Sequence, residues 1–287
     1  MATCEPRADT AYPVAMIHLL TVRLSPVPPP PDDDRYPFSV PAVAALRETP
    51  LEFSDPVTFL VGENGAGKSA MLEGLACAAG SVAIAGDDLR RDPTLTAARA
   101  LGDRLQLTWR ARTRRGFFLR AEDFFGFAKY VASIRAGLEH DLAALDGDPG
   151  PLTYGRRLAR GMYARELGEL RRTDLLVNET SHGESFLALL QRRFVPGGLY
   201  LLDEPETPLS PMRQLALLAL LRHMVDSEES QFIIATHSPL LMAYPGAAIY
   251  SLDGGAATPV AWNELEHVAL TRDFLNDPEL FLRHLGQ

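Results

Sequence analysis

Lysine is almost missing from this 287-residue chain, which has Lys68 and Lys129 and no other. Basic charge otherwise rests on arginine, so the position of each lysine carries information. Cysteine is equally scarce. Cys4 and Cys77 cannot build a disulfide framework or a cysteine-based metal site. Cys77 lies in an apolar stretch and reads as packing. No apolar run reaches the roughly 18 residues of a membrane span; the most apolar helical stretch, Gln214 to Met224, is interrupted by Arg222 and His223. Met1 to Pro6 lacks the basic start and apolar run of a secretory signal. These absences predict a cytoplasmic protein with no membrane insertion. Excess positive charge is lacking too: the formal net charge is −9, which excludes a protein that simply coats nucleic acid.

The composition is that of a globular protein, 46% hydrophobic and 23% charged, long enough for one large α/β domain or two smaller ones. Charge is unevenly spread. Residues 90–120 carry a local +7 and residues 156–172 a local +4, leaving −20 elsewhere. An arginine-rich stretch is either a solvated, salt-bridged face or a surface for nucleic acid.

Residues 57–69 organise the rest. Val57 to Val61 is a short β-branched and apolar run that reads as a buried strand. It breaks at Gly62 into Glu63-Asn64-Gly65-Ala66-Gly67, and Lys68-Ser69 opens a helical stretch. This is G-x-x-x-x-G-K-S with a strand before it and a helix after. Three glycines let successive backbone N–H groups turn inward around phosphate oxygens. The helix N-terminus adds partial positive charge, Lys68 can reach the β- and γ-phosphates, and the Ser69 hydroxyl can ligate Mg²⁺. These residues predict nucleoside triphosphate binding.

A second apolar run, Leu199 to Leu202, ends in Asp203-Glu204. A parallel strand delivers its last residues to the sheet edge where α/β folds bind ligands. There Asp203 can hold the magnesium shell and Glu204 can polarise an attacking water. Gln231 to Ala235 is a third strand, leading into Thr236-His237-Ser238-Pro239. Upstream of the carboxylate strand, Ser181-His182-Gly183-Glu184 precedes a helix; Ser181 with Glu184 also fits a capping box.

Other elements are coarser. Met16 to Leu24 predicts an early strand, Pro41 to Arg47 a short helix and Ser81 to Ala85 a short strand. Leu105 to Trp109 alternates as a half-buried strand should, with Gly116 to Arg120 as its neighbour across an Arg112–Arg115 hairpin. Ala121 to Leu145 and Tyr154 to Arg172 read as helical, separated by Asp146-Gly147-Asp148-Pro149-Gly150-Pro151. The proline-rich run Ser25 to Asp34 is a stiff loop.

In this order and spacing the motifs resemble the ATP-binding-cassette (ABC-type) P-loop ATPases. Gly62 to Ser69 is similar to Walker A, Ser181 to Glu184 to the S-G-G-Q signature, Leu199 to Glu204 to Walker B, Glu206 to Ser210 to the D-loop, and His237 to the switch histidine. The wording G-E-N-G-A-G-K-S, D-E-P-E and A-T-H-S-P looks more like stand-alone AAA/ABC-like ATPases allied to DNA-repair and chromosome-maintenance ATPases than like transporter subunits. Departures are His182 for the first signature glycine, Ser210 for the D-loop aspartate, and Arg120 or Glu122 where a Q-loop glutamine belongs. Tyr12, Tyr36 and Phe38 are candidates for stacking adenine.

The resemblance implies an α/β core with an antiparallel portion, from residues 1–86 and 181–287, and an inserted, mainly helical arm lobe at 87–180. It implies ATP and Mg²⁺ as cofactors, bound through Gly62, Glu63, Asn64, Gly65, Ala66, Gly67, Lys68 and Ser69, with Ser69 and Asp203 on the metal and Glu204, His237 and Lys68 catalytic. Ser181, Gly183 and Glu184 of one copy would complete the site of another, so an ATP-dependent homodimer is expected, hydrolysing ATP to drive a conformational switch. Nucleic acid is a candidate partner through the arginine-rich lobe. The alternatives are a transporter's energy-coupling subunit and a regulatory scaffold that binds ATP without turnover.

Overall fold

A computed structural model of the chain describes residues 16–26, 35–84, 88–89, 92–120, 137–146, 153–178 and 182–283. Two sheets carry the fold. The smaller has the order β2-β1-β4, formed antiparallel from β1 (Leu19–Leu24), β2 (Leu51–Glu52) and β4 (Leu105–Trp109). The larger has six strands in the order β5-β6-β7-β3-β8-β9, from β3 (Val57–Val61), β5 (Phe118–Leu119), β6 (Leu199–Asp203), β7 (Gln231–Ala235), β8 (Ala248–Ser251) and β9 (Thr258–Pro259). Within it β3 and β5 to β8 run parallel, and β9 alone turns back. The expected α/β class, with a mixed sheet and an antiparallel portion, is what forms.

The central strands β3, β6 and β7 are buried at every position, as unbroken apolar runs require when helices cover both sheet faces. Their side chains divide by alternation. Val57, Phe59, Tyr200, Leu202, Phe232 and Ile234 face one cluster, packed by the helices His182–Arg193 and Pro211–Asp226. Leu60, Leu201, Ile233 and Ala235 face the other, against the helix Lys68–Ala79. That helix is therefore sandwiched between the large sheet and the small one, whose Leu19, Val22 and Leu24 complete the same cluster. Within the first cluster Tyr200 stacks on Phe232 and meets Phe117 and Phe194 edge-on, while its hydroxyl accepts from the Val195 amide and donates to the Val195 carbonyl.

Two expectations are corrected. Gly116 to Arg120 is not the neighbour of β4. β4 pairs with β1, and β5 pairs with β6 in the other sheet. Phe117, Phe118 and Leu119 are all buried, so this run has two apolar faces and suits the large sheet, not a half-exposed hairpin. Gly116 permits the crossing: at φ 113 a Cβ there would collide with the Leu199 carbonyl. Among the described residues of Ser81 to Ala85 only single bridges form, Val82 to Asp88 and Ala83 to Phe118; Ala85 lies outside them. Strands β4 and β5 also place residues 105–109 and 118–119 within the two sheets, although they fall inside the 87–180 segment. Most of the predicted helix 121–145 and the run Val27 to Asp34 lie outside the described residues; residues 137–146 are helical.

One buried side chain ties the two sheets together. Gln231, fully buried on β7, accepts from the His18 and Leu19 amides at 2.9 and 2.8 Å and donates to the Leu19 carbonyl at 3.0 Å. Gln231→Leu leaves those backbone groups buried without partners, at about 1–3 kcal/mol each before relaxation. A loss of about 2–4 kcal/mol in urea unfolding is expected; an unchanged midpoint would show that the sheets do not depend on this amide.

Candidate active site

Every parallel strand of the large sheet delivers its C-terminal end to one edge, and the predicted motifs meet there. The helix Lys68–Ala79 begins at Gly67, in the left-handed region at φ 102, with no side-chain cap and no acidic residue in its first turn. Ser238 and Asp277 cap their helices with side-chain oxygens, while Val40, Leu95, Ser210 and Leu265, like Gly67, do not. The first amides after Gly67 are therefore left to an external acceptor, which an anion satisfies. Lys68 is 5% exposed. Its Nζ donates to the carbonyls of Gly62 at 2.7 Å and Glu63 at 3.0 Å. Burial lowers its pKa, opposed by the charges of Glu204, Asp203, Asp253 and Glu206.

Asp203, the last residue of β6, is 7% exposed. Burial pushes its carboxyl up to about 6, while a hydrogen bond from Ser69 pulls the other way. Its Oδ1 is buried without a hydrogen-bond partner. An orphaned carboxylate oxygen beside a serine hydroxyl is a donor set that suits a hard divalent cation. Glu204 follows in the left-handed region at φ 48, a conformation that costs a non-glycine residue about 1 kcal/mol and is held by its neighbours. Its amide donates to the Ala235 carbonyl at 2.9 Å, and its Oε1 lies 3.9 Å from Nε2 of His237. That Nε2 is itself buried without a partner.

Sequence reasoning missed what holds His237. The Glu206 carboxylate accepts from the His237 amide at 2.8 Å and from the Thr236 hydroxyl; burial raises its pKa. The D-E-P-E spacing marks this turn as a loop, with nothing to say that its last acid reaches across to the residues after β7. Asp253 was missed as well, although Gly254-Gly255 signals a turn there. It accepts from the Glu63 amide at 2.7 Å. His267, on the helix Glu266–Asn276, was the third. It lines a cleft of about 710 Å³ with Gly62, Glu63, Gly65, His237 and Asp253, and burial lowers its pKa.

The signature segment stands apart. Glu184, in the first turn of its helix, forms an ion pair with Arg213, and Ser181 lies outside the described residues. Arg120, at the Q-loop position, pairs with Asp92 at 2.7 Å. Of the adenine candidates, Phe38 packs on the core, Tyr36 is 59% exposed, and Tyr12 lies outside the described residues.

Comparisons with known proteins point to the same two halves. A model described as "AAA domain" matches residues 42–98, around the phosphate loop. Another, described as "AAA domain, putative AbiEii toxin, Type IV TA system", matches residues 185–243, from the helix His182–Arg193 to just past His237. Both matches fall on segments that resemble P-loop ATPases. Similar curated proteins are the "Cobalamin import ATP-binding protein BtuD" of two Halobacterium salinarum strains. Each is 27% identical over 183 residues, covering 62% of this chain. The chain spans only 41% of the length of these relatives. Among solved structures, the dimeric MJ0796 bacterial ABC transporter cassette has TM-score 0.38 and 18% identity, covering 73% of this chain and 86% of that one. The Smc head domain bound to the C-terminal domain of ScpA, from Pyrococcus furiosus, has TM-score 0.40 and 12% identity, covering 91% and 100%. Likeness at that level says nothing of function. No helix among the described residues is long and apolar enough to cross a membrane.

The Asp203 carboxyl gives a pH test. An ordinary aspartate titrates near 3.9, and folding raises this one to about 6. The folded chain therefore binds the proton more tightly, and stability falls as pH rises through that window. Asp203→Asn removes the penalty, of order 2–3 kcal/mol. Without nucleotide or Mg²⁺, the variant should melt above the parent at pH 8, and the gap should close toward pH 4. Equal melting at both pH values would contradict the burial assigned to Asp203.

Proposed function

We propose that this chain binds ATP with Mg²⁺ at the Gly62–Ser69 loop and hydrolyses it at a site completed by a second copy. The observation that carries the reading is the uncapped N-terminus of the helix Lys68–Ala79, which faces the carboxylates Asp203 and Glu204 across the buried Lys68 ammonium. Ser69 and Asp203 would hold the Mg²⁺, which supplies charge neutralisation at the phosphates. Lys68 exchanges the Gly62 and Glu63 carbonyls for phosphate oxygens, a stronger charge-assisted contact. Glu204 takes the proton of the attacking water, and His237, presented by Glu206, orients the terminal phosphate.

The dimer rests on the resemblance of Ser181 to Glu184 to an ABC signature, which acts on a second copy's nucleotide. The arm lobe is then the segment between β5 and the helix His182–Arg193, including the helix Tyr154–Asn178. Lys68→Ala should abolish tight ATP binding. Glu204→Gln should keep binding and slow turnover by roughly 10²–10⁴. Measured turnover and equilibrium binding decide: normal turnover by the glutamine variant would remove Glu204 from the role of base.

For the output, a nucleic-acid transaction is the reading favoured by exposed Arg110, Arg112 and Arg114. Arg99 and Arg115 of the same run are instead spent on backbone carbonyls, at Asp92 and Pro196. Replacing the three exposed arginines should flatten the salt dependence of duplex DNA binding by about 0.9 in log–log slope per lost contact. An unaltered slope, or no DNA binding by the parent, would leave a transporter's energy subunit, the role named for the curated relatives, as the better reading.

A further inference from the structure

The peptide unit joining Gly62 to Glu63 is held at both polar ends by charges of opposite sign. Its carbonyl accepts from Lys68 Nζ at 2.7 Å, and its N–H donates to Asp253 Oδ1 at 2.7 Å. The two side chains come from opposite ends of the fold, Lys68 from the helix after the loop and Asp253 from beyond β8. Sheet register brings them together. β8 runs beside β3 with Ser251 opposite Val61, and the Leu252 amide extends the ladder to the Val61 carbonyl at 2.9 Å. Asp253 therefore arrives at the first turn of the loop. Its second oxygen accepts from the Ser251 hydroxyl at 3.1 Å, which fixes the carboxylate plane. The contact also needs Gly62, since a Cβ there would stand 2.8 Å from Asp253 Oδ1.

We infer that Asp253 is a positioning residue of the phosphate loop, clamping the Gly62–Glu63 peptide from outside the nucleotide site. The inference rests on the ATP-binding reading above. When Lys68 turns to the phosphates, the carbonyl end of this peptide loses its ammonium, and Asp253 becomes the side chain that still sets its orientation. The Glu63 N–H points at a carboxylate, so the amides of the later loop and the helix start form the phosphate nest. Asp253 is exposed, and its replacement spares the core.

The test compares the parent with Asp253→Ala and Asp253→Asn, using a non-hydrolysable ATP analogue with Mg²⁺, steady-state ATPase kinetics and melting without nucleotide. Asp253→Ala should weaken analogue binding about tenfold, as losing a solvent-accessible hydrogen bond to a charged acceptor does. KM should rise with kcat kept, and the nucleotide-free melting temperature should move by less than about 2 °C. Asp253→Asn retains the acceptor oxygen and should stay within about threefold of the parent, since a neutral acceptor keeps roughly half the strength of a charged one. Parent-like binding by Asp253→Ala, or a loss of affinity that merely tracks a fall in melting temperature, overturns the inference and leaves the ATP reading standing. If the parent itself does not bind the analogue, the ATP reading fails and takes the inference with it.

Discussion

A buried ammonium is the constraint around which this structure is arranged. Taking Lys68 out of water is unfavourable unless its charge and donors are met, and the fold meets them in two ways. The loop curls so that the Gly62 and Glu63 carbonyls point at Nζ. The sheet order then places the ends of β6 and β8 on either side of β7 and β3, so Asp203, Glu204, Glu206 and Asp253 all contribute opposing charge. In the ATP-bound state proposed above, a polyanion would offer Lys68 stronger, charge-assisted acceptors than these two carbonyls.

The same arrangement keeps several acids in uncomfortable settings. Asp203 and Glu206 are both raised by burial, Asp203 Oδ1 and Glu206 Oε2 lack partners, and Glu204 sits in a left-handed backbone conformation. Unsatisfied buried groups and a strained non-glycine residue are stability given up at one edge of the sheet. The remainder of the fold offsets this with an apolar two-faced core, an aromatic cluster around Tyr200, and the Gln231 amide that joins the two sheets. Perturbed acids gathered in a cleft are the usual mark of a functional edge.

Some of this is legible from residues alone. The strand, glycine turn and Lys68-Ser69 helix start are found where the sequence places them because backbone geometry there is local: each residue type answers a requirement of its immediate neighbours. The same holds for Leu199 to Leu202 and Phe232 to Ala235, whose short apolar runs suit strands covered on both faces. Gly116 to Arg120 is assigned the wrong partner from sequence because chain proximity favours a hairpin with Leu105 to Trp109. The three consecutive apolar residues Phe117 to Leu119 are the contrary signal, since they suit a sheet covered on both faces.

The sequence by itself determined where the glycine loop, the acids and the histidine stand at strand ends, since the spacing within each strand-turn unit is local. Only the tertiary structure decided which distant groups hold them in place. Asp253 reaches the Glu63 amide across 190 residues, Glu206 presents the His237 amide, and Gln231 bonds His18 and Leu19. Those contacts depend on strand order and register, and no local pattern encodes which strand becomes whose neighbour.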